Sequence, residues 1–175
     1  IVAGDTKVIP RGGLDGVFIN TSGVGEILYK GISAHNVCES DVIIVSHEVG
    51  NHGACILAKR EELELQSDLA TDCASLWKPI EALIEEGVVL HALRDATRGG
   101  LSAVLNEWAQ TSNVCLEIKE DAIPVAPEVR GICELLGFEP YEFANEGTMV
   151  LSVPASEVTK VLDILHRFEE TKDAV

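Results

Sequence analysis

Val88-Val89-Leu90-His91-Ala92-Leu93, running into Arg94-Asp95-Ala96-Thr97-Arg98-Gly99-Gly100-Leu101, is the stretch whose reading decides the fold. Val88–Leu93 has the length and apolar content of a buried strand. After Gly100 the period changes: Leu101, Val104, Leu105 and Trp108 recur at the spacing of one helical face. A strand that turns through paired glycines into an amphipathic helix is a basic unit of layered α/β proteins.

The same alternation continues on both sides. Upstream, Asp41–Val45 reads as a buried strand, Ser46–Gly53 as a polar loop and Ala54–Arg60 as a short helix. Cys73, Leu76, Trp77, Ile80, Leu83 and Ile84 then follow at helical spacing and stop near Gly87. Downstream, Val114–Ile118 reads as a strand, and Val129, Ile132, Cys133 and Leu136 as a helix closed by Gly137. Met149–Val153 is a further strand, and Val158, Val161, Leu162 and Leu165 mark a last helix. Residues 30–175 therefore predict an α/β, or α+β layered, domain: a mixed sheet with helices packed on it.

Residues 1–29 differ. Ile1–Ala3, Val8–Ile9 and Val17–Asn20 read as strands punctuated by Gly4, Gly12-Gly13, Gly23 and Gly25. So small a set cannot bury both its faces, so its partners are either later strands or another domain. Ile1-Val2-Ala3 reads as the middle of a strand, with no basic stretch ahead of it, which predicts a piece of a longer protein rather than a signal peptide.

Composition narrows the function. Of the 175 residues 46% are hydrophobic, and the mean hydropathy is +0.18, enough for a proper core. The formal charge of −16 argues against nucleic acid as a general partner, because phosphate backbones need a basic face. No apolar run reaches membrane-spanning length. Cys38, Cys55, Cys73, Cys115 and Cys133 form no close pair, so neither a zinc knuckle nor a disulfide framework is expected. Cys73, Cys115 and Cys133 fall on apolar positions and predict buried thiols, in keeping with a reducing cytoplasm.

The few cations gather at turns. In Arg94–Leu101, glycines let the backbone approach a ligand, and the first turn of a helix offers free N–H groups to an anion. Thr97 can cap or donate its hydroxyl, Arg98 supplies a planar fork, and Asp95 can orient Arg98 or help hold Mg²⁺. The segment also reads as an ordinary helix cap. Gly4-Asp5-Thr6-Lys7 joins a carboxylate, a hydroxyl and an ammonium, as a metal–phosphate contact requires, or is a hairpin turn. His52, before Gly53, is a candidate ligand-facing imidazole. The His47-Glu48…His52 spacing is not that of a zinc protease. Asn145-Glu146-Gly147 stands at the entry to the last strand and can carry a cleft carboxylate or simply turn the chain.

Taken together, Val2-Ala3-Gly4-Asp5-Thr6-Lys7-Val8, His52-Gly53, His91-x-x-Arg94-Asp95-Ala96-Thr97-Arg98-Gly99-Gly100-Leu101 and Ala144-Asn145-Glu146-Gly147 occur in the order seen in HypE-type hydrogenase maturation proteins. Ile123-Pro124-Val125 and Leu136-Gly137 fit the same pattern. The chain thus resembles this family of the aminoimidazole ribonucleotide synthetase-like (PurM-like) ATP enzymes from residue 2 to about residue 165. The resemblance implies that residues 1–29 are the terminal strands of an amino-terminal ATP-binding domain. Residues 30–175 would be a PurM-like carboxyl-terminal domain.

It further implies a carbamoyl dehydratase. The family converts a carboxyl-terminal cysteine thiocarboxamide to thiocyanate with ATP and Mg²⁺, for cyanide ligand biosynthesis in nickel–iron hydrogenases. Its carbamoyl group comes from a HypF-type carbamoyltransferase, its cyano group goes to a HypC–HypD complex, and it works as a cytoplasmic homodimer. By resemblance Lys7 and Glu146 are catalytic. Lys7 would stabilise developing negative charge, and Glu146 would take the proton from nitrogen. Asp5 (as a Mg²⁺ contact), Thr6, Asp95, Thr97, Arg98, Gly99 and Gly100 would bind the nucleotide, and His52 and Asn145 would line the substrate cleft.

The sequence departs from the family at Ala96, often Pro, and at Ser46-His47, often Ser-Gly. The family's Pro-Arg-Ile-Cys tail is not present, so this chain is expected to be inactive alone. Two further readings remain: another ATP enzyme of the superfamily, such as a selenophosphate synthetase-like or phosphoribosyl amidine-forming one, and a non-catalytic partner-docking module.

Overall fold

A computed structural model describes residues 1–62 and 69–175. Its centre is a three-stranded sheet of β1 (Asp41–Val45), β2 (Ala92–Asp95) and β3 (Met149–Pro154), in the order β1-β3-β2. Both neighbours run antiparallel to β3, with Val45 opposite Val150 and Asp95 opposite Met149. Among the described residues five α-helices surround it: α1 (Asn51–Arg60), α2 (Trp77–Glu85), α3 (Gly100–Ser112), α4 (Pro127–Leu136) and α5 (Val158–Leu165).

β3 is buried on both faces, and its period of two sorts the core. Met149, Leu151 and Val153 join Leu83 of α2 and Val161, Ile164 and Leu165 of α5. Val150, on the opposite face, joins Leu101, Val104 and Trp108 of α3. Trp108 is only 1% exposed, so truncating it to Ala would cost roughly 3–5 kcal/mol. Ala54 of α1 packs with Val129, Ile132 and Cys133 of α4 in a separate cluster. Helix α4 ends at Gly137, whose φ of 75° is the left-handed cap expected from the sequence.

Several expectations are corrected. The sheet is antiparallel, not mixed, because the last strand inserts between the first two. Strand-helix alternation carries no information about that insertion. Val114–Ile118 forms no strand; Val114 and Leu116 rest against the α3 cluster without a ladder partner. The strand predicted at Val88–Leu93 begins only at Ala92, since Val88 O and Leu90 N bond to the Tyr29 hydroxyl instead of to a strand. Residues 1–28 are exposed and contain no strand, because no neighbouring edge supplies their backbone hydrogen bonds. Cys133 is buried, but Cys73 and Cys115 are exposed.

Candidate functional site

The antiparallel register brings the ends of β1 and β2 and the start of β3 to one edge of the sheet. The loops after Val45 and after Asp95 therefore meet the loop before Met149. Ser46 N–H donates to Met149 O at 3.0 Å, and Ala96 N–H to Thr148 O at 3.0 Å. The Asn145 side chain ties the junction together. Its Oδ1 accepts from Gly50 N–H at 2.7 Å, and its Nδ2 donates to Ala96 O at 2.9 Å and Phe143 O at 3.1 Å. Asn145 is fully buried, so its amide lies beneath the junction and holds the three loops together.

Glu146 shows the reverse arrangement. Its backbone N–H donates to both carboxylate oxygens of buried Asp72 at 3.1 Å, while its own side chain is exposed. Asp72 also accepts from Gly147 N–H and from the Thr148 hydroxyl, each at 3.0 Å. A carboxylate enclosed by three donor groups fixes the path of residues 146–148. Among the described residues, the Glu146 carboxylate has no hydrogen-bond or ion-pair partner. The result is a free carboxylate on a rigid backbone.

Sequence reading missed Asp72, because an Asp just ahead of a helical stripe looks like a simple cap. The signal that could have found it is Gly147. A Cβ there would lie 1.7 Å from Asp72 O, so only glycine permits the approach.

The Asp95–Gly100 loop lies against this junction. Asp95 and Arg98 are exposed, Thr97 is half-buried, and the Asp95 and Arg98 side chains have no partner among the described residues. Arg94, by contrast, is paired with Glu107 of α3. Gly99 and Gly100 both take positive φ, 76° and 60°. A Cβ on Gly100 would meet Tyr141 O at 2.4 Å and Phe143 O at 2.5 Å. The close approach at Gly100 is thus made by the protein's own backbone, and that glycine packs the loop onto its neighbour.

His52 lies at the start of α1, beside the loop that leads to Glu146. Its Nδ1 lies 2.9 Å from the Thr71 hydroxyl and 3.8 Å from the Cys73 Sγ. Gly53 N–H donates to Ala144 O, which places this helix start against the Glu146 loop. Next to it the Oδ1 of buried Asn51 has no hydrogen-bond partner among the described residues. Asp5, Thr6 and Lys7 lie on the exposed amino-terminal arm, and among the described residues no hydrogen bond or ion pair links them to these loops. The structure therefore unites His52, the Asp95–Gly100 loop and Asn145-Glu146, and leaves the Asp5–Lys7 group apart.

This donor set suits a nucleotide with its cation. It offers a guanidinium at Arg98, without a partner among the described residues, for phosphate, an exposed carboxylate at Asp95 for a hard cation, and a half-buried hydroxyl at Thr97. The Asp72 carboxylate is engaged by the Glu146 and Gly147 N–H groups and the Thr148 hydroxyl of its own chain.

Residues 39–175 match the family of AIR synthase related protein, C-terminal domain. The carbamoyl dehydratase HypE of Rhodobacter capsulatus is 48% identical over 163 residues, covering 93% of this chain and 48% of that protein. Among solved structures, a HypE–HypF complex superposes with a TM-score of 0.79 at 36% identity, over 83% of this chain and 48% of that one. A HypE in complex with ATP gives a TM-score of 0.79 at 35% identity, over 82% and 43%. The chain spans about half the length of the curated relatives it matches.

Proposed function

The chain belongs to the family of AIR synthase related protein, C-terminal domain, and from that premise we propose that it forms part of a HypE-type carbamoyl dehydratase. The whole enzyme would convert the thiocarboxamide of a terminal cysteine to a thiocyanate, the cyanide source for a nickel–iron hydrogenase. The observation that carries this reading is the held backbone of Glu146, whose carboxylate, like the Asp95 and Arg98 side chains, has no partner among the described residues.

The Glu146 carboxylate accepts a proton from the amide nitrogen as the carbon–oxygen bond breaks. Its rigid backbone keeps the base within reach without a cost in loop ordering. Bound Mg-ATP would supply the phosphoryl group that makes the amide oxygen a leaving group. Arg98 and Thr97 would hold phosphate oxygens, Gly99 would shape the loop beside them, and Asp95 would supply a carboxylate for the cation. His52 and the Asn145-supported loop bound the substrate side.

In this reading residues 1–29 would form the last strands of an amino-terminal ATP-binding domain once docked into it, which would cover their exposed apolar side chains, among them Val8, Val17, Phe18 and Ile19. Residues 30–175 are the carboxyl-terminal domain. Docking of the arm into that first domain would bring Lys7, Asp5 and Thr6 over the cleft, with Asp5 on Mg²⁺ and Lys7 against the charge developing on the substrate. The homodimer, the HypF-type donor, the HypC–HypD acceptor and a cytoplasmic setting belong to the same proposal. No helix among the described residues is long and apolar enough to cross a membrane.

The test is a mass measurement on the longer protein supplied with a carbamoyl donor and ATP. The carbamoylated species should lose the mass of one water. A carbamoylated protein that hydrolyses ATP without that loss would refute the reading.

A further inference from the structure

At the far end of β1 from Glu146 lies a second cluster of reactive side chains, none of which the proposed dehydration uses. We propose that Cys38, Asp41 and His91 form a binding site for one divalent transition-metal ion of the zinc class. The thiol, carboxylate and imidazole ligand atoms all lie within 4.8 Å of one another. Their chemistry is the mixed sulfur, oxygen and nitrogen set that Zn²⁺ and Co²⁺ accept and that Mg²⁺ does not.

The parts are preorganised. Asp41 opens β1, and its side chain is only 5% exposed. Its Oδ2 accepts from Ser152 Oγ at 2.8 Å and from Cys38 N–H at 2.9 Å, and these bonds fix the carboxylate and bring residue 38 back over it. His91 Nδ1 sits 2.8 Å from the same oxygen, and its backbone is anchored by its N–H to Ser152 O and by Ser33 N–H to its own carbonyl. Outer contacts of this type orient metal ligands. An ion pair accounts for Asp41 and His91, but not for a thiol within reach of both.

A tetrahedral site needs ligand atoms about 3.3–3.6 Å apart, so the imidazole must withdraw slightly and the exposed thiol swing inward. Among the described residues the hydrogen-bond contact of Cys38 Sγ is to Asn36 O at 3.2 Å, which leaves the exposed thiol free to do so. Cys38 and Asp41 also form one wall of a cavity of about 750 Å³ floored by Val114–Ile118 and α3. The fourth coordination position thus opens to solvent. Binding releases the thiol proton to water and leaves a thiolate on the metal. A chain of net charge −16 concentrates cations at such a site.

Cobalt titration of the chelator-stripped, reduced protein tests the proposal. One equivalent of Co²⁺ should produce a thiolate-to-cobalt charge-transfer band and the intense visible bands of tetrahedral coordination, both removed by Zn²⁺. Cys38→Ser should abolish the charge-transfer band, and His91→Ala should weaken cobalt binding at least about tenfold. Cys73→Ser, which removes the thiol beside His52, should retain the band, and circular dichroism establishes that each variant is folded. Absence of a thiolate band in the unmodified protein overturns the site. So does a band that survives in Cys38→Ser and disappears in Cys73→Ser.

Discussion

The Asp72 carboxylate receives the backbone N–H of Gly147 at 3.0 Å, across 75 residues of sequence. The same oxygen takes the Thr148 hydroxyl, and both oxygens take the Glu146 N–H. Removing the carboxylate leaves buried donors unsatisfied, at about 3 kcal/mol. Asp72→Ala should lower unfolding stability by that amount in urea, and Asp72→Asn, which keeps one acceptor, by about half. An unchanged midpoint in both variants would mean that the loop is held by something else.

Glycine positions separate by what a methyl group would meet. Gly147→Ala drives a Cβ into the Asp72 backbone and should destabilise the fold by about 2–3 kcal/mol. Gly131 is exposed within α4 with nothing within 4 Å of its Cβ position, so Gly131→Ala should stabilise by up to about 1 kcal/mol. Thermal unfolding of the two variants should therefore move in opposite directions.

Glu146→Gln changes an exposed side chain that has no partner among the described residues, so stability should stay within about 0.5 kcal/mol. In the longer protein the same change should lower nitrile formation by roughly 10²–10⁴-fold while carbamoylation continues. Thiocyanate made at the normal rate would remove Glu146 from the role of base. Lys7→Ala should reproduce the loss without any change in the stability of residues 30–175.

The cysteines should divide by exposure. Cys38, Cys73 and Cys115 are exposed and should alkylate readily in the native state, whereas Cys133 should react only on unfolding. Burial, aided by the nearby Glu139 charge, pushes the Cys133 thiol up. A raised folded value means that the folded state keeps its proton longer. The contribution of Cys133 is present below the ordinary thiol value of about 8.5 and lost as pH rises through the folded value. Cys133→Ala should flatten the decline in stability above about pH 8.5. A decline of the same slope in both proteins would assign it to other groups.

The sequence by itself determined the elements whose burial follows a local period: β1, β3, the helical faces of α1 to α5 and the glycine cap at Gly137, though not the starts of α1, which begins at Asn51, and α2, which begins at Trp77. It also marked Arg94–Leu101 and Asn145–Gly147 as the unusual turns, because glycine and charge beside an apolar run are visible one residue at a time. It could not give the order β1-β3-β2, since strand pairing depends on which edges remain open once the helices have packed. Nor could it show that Val114–Ile118 lacks a ladder partner.

Only the tertiary structure decided what each polar group faces. It turned Asn145 inward, set Gly100 against its own backbone, bound Asp72 beneath Glu146 and placed Cys38 beside His91. Hydrogen bonds between residues far apart in sequence leave no local pattern; they exist only after the sheet has brought the loops to a common edge.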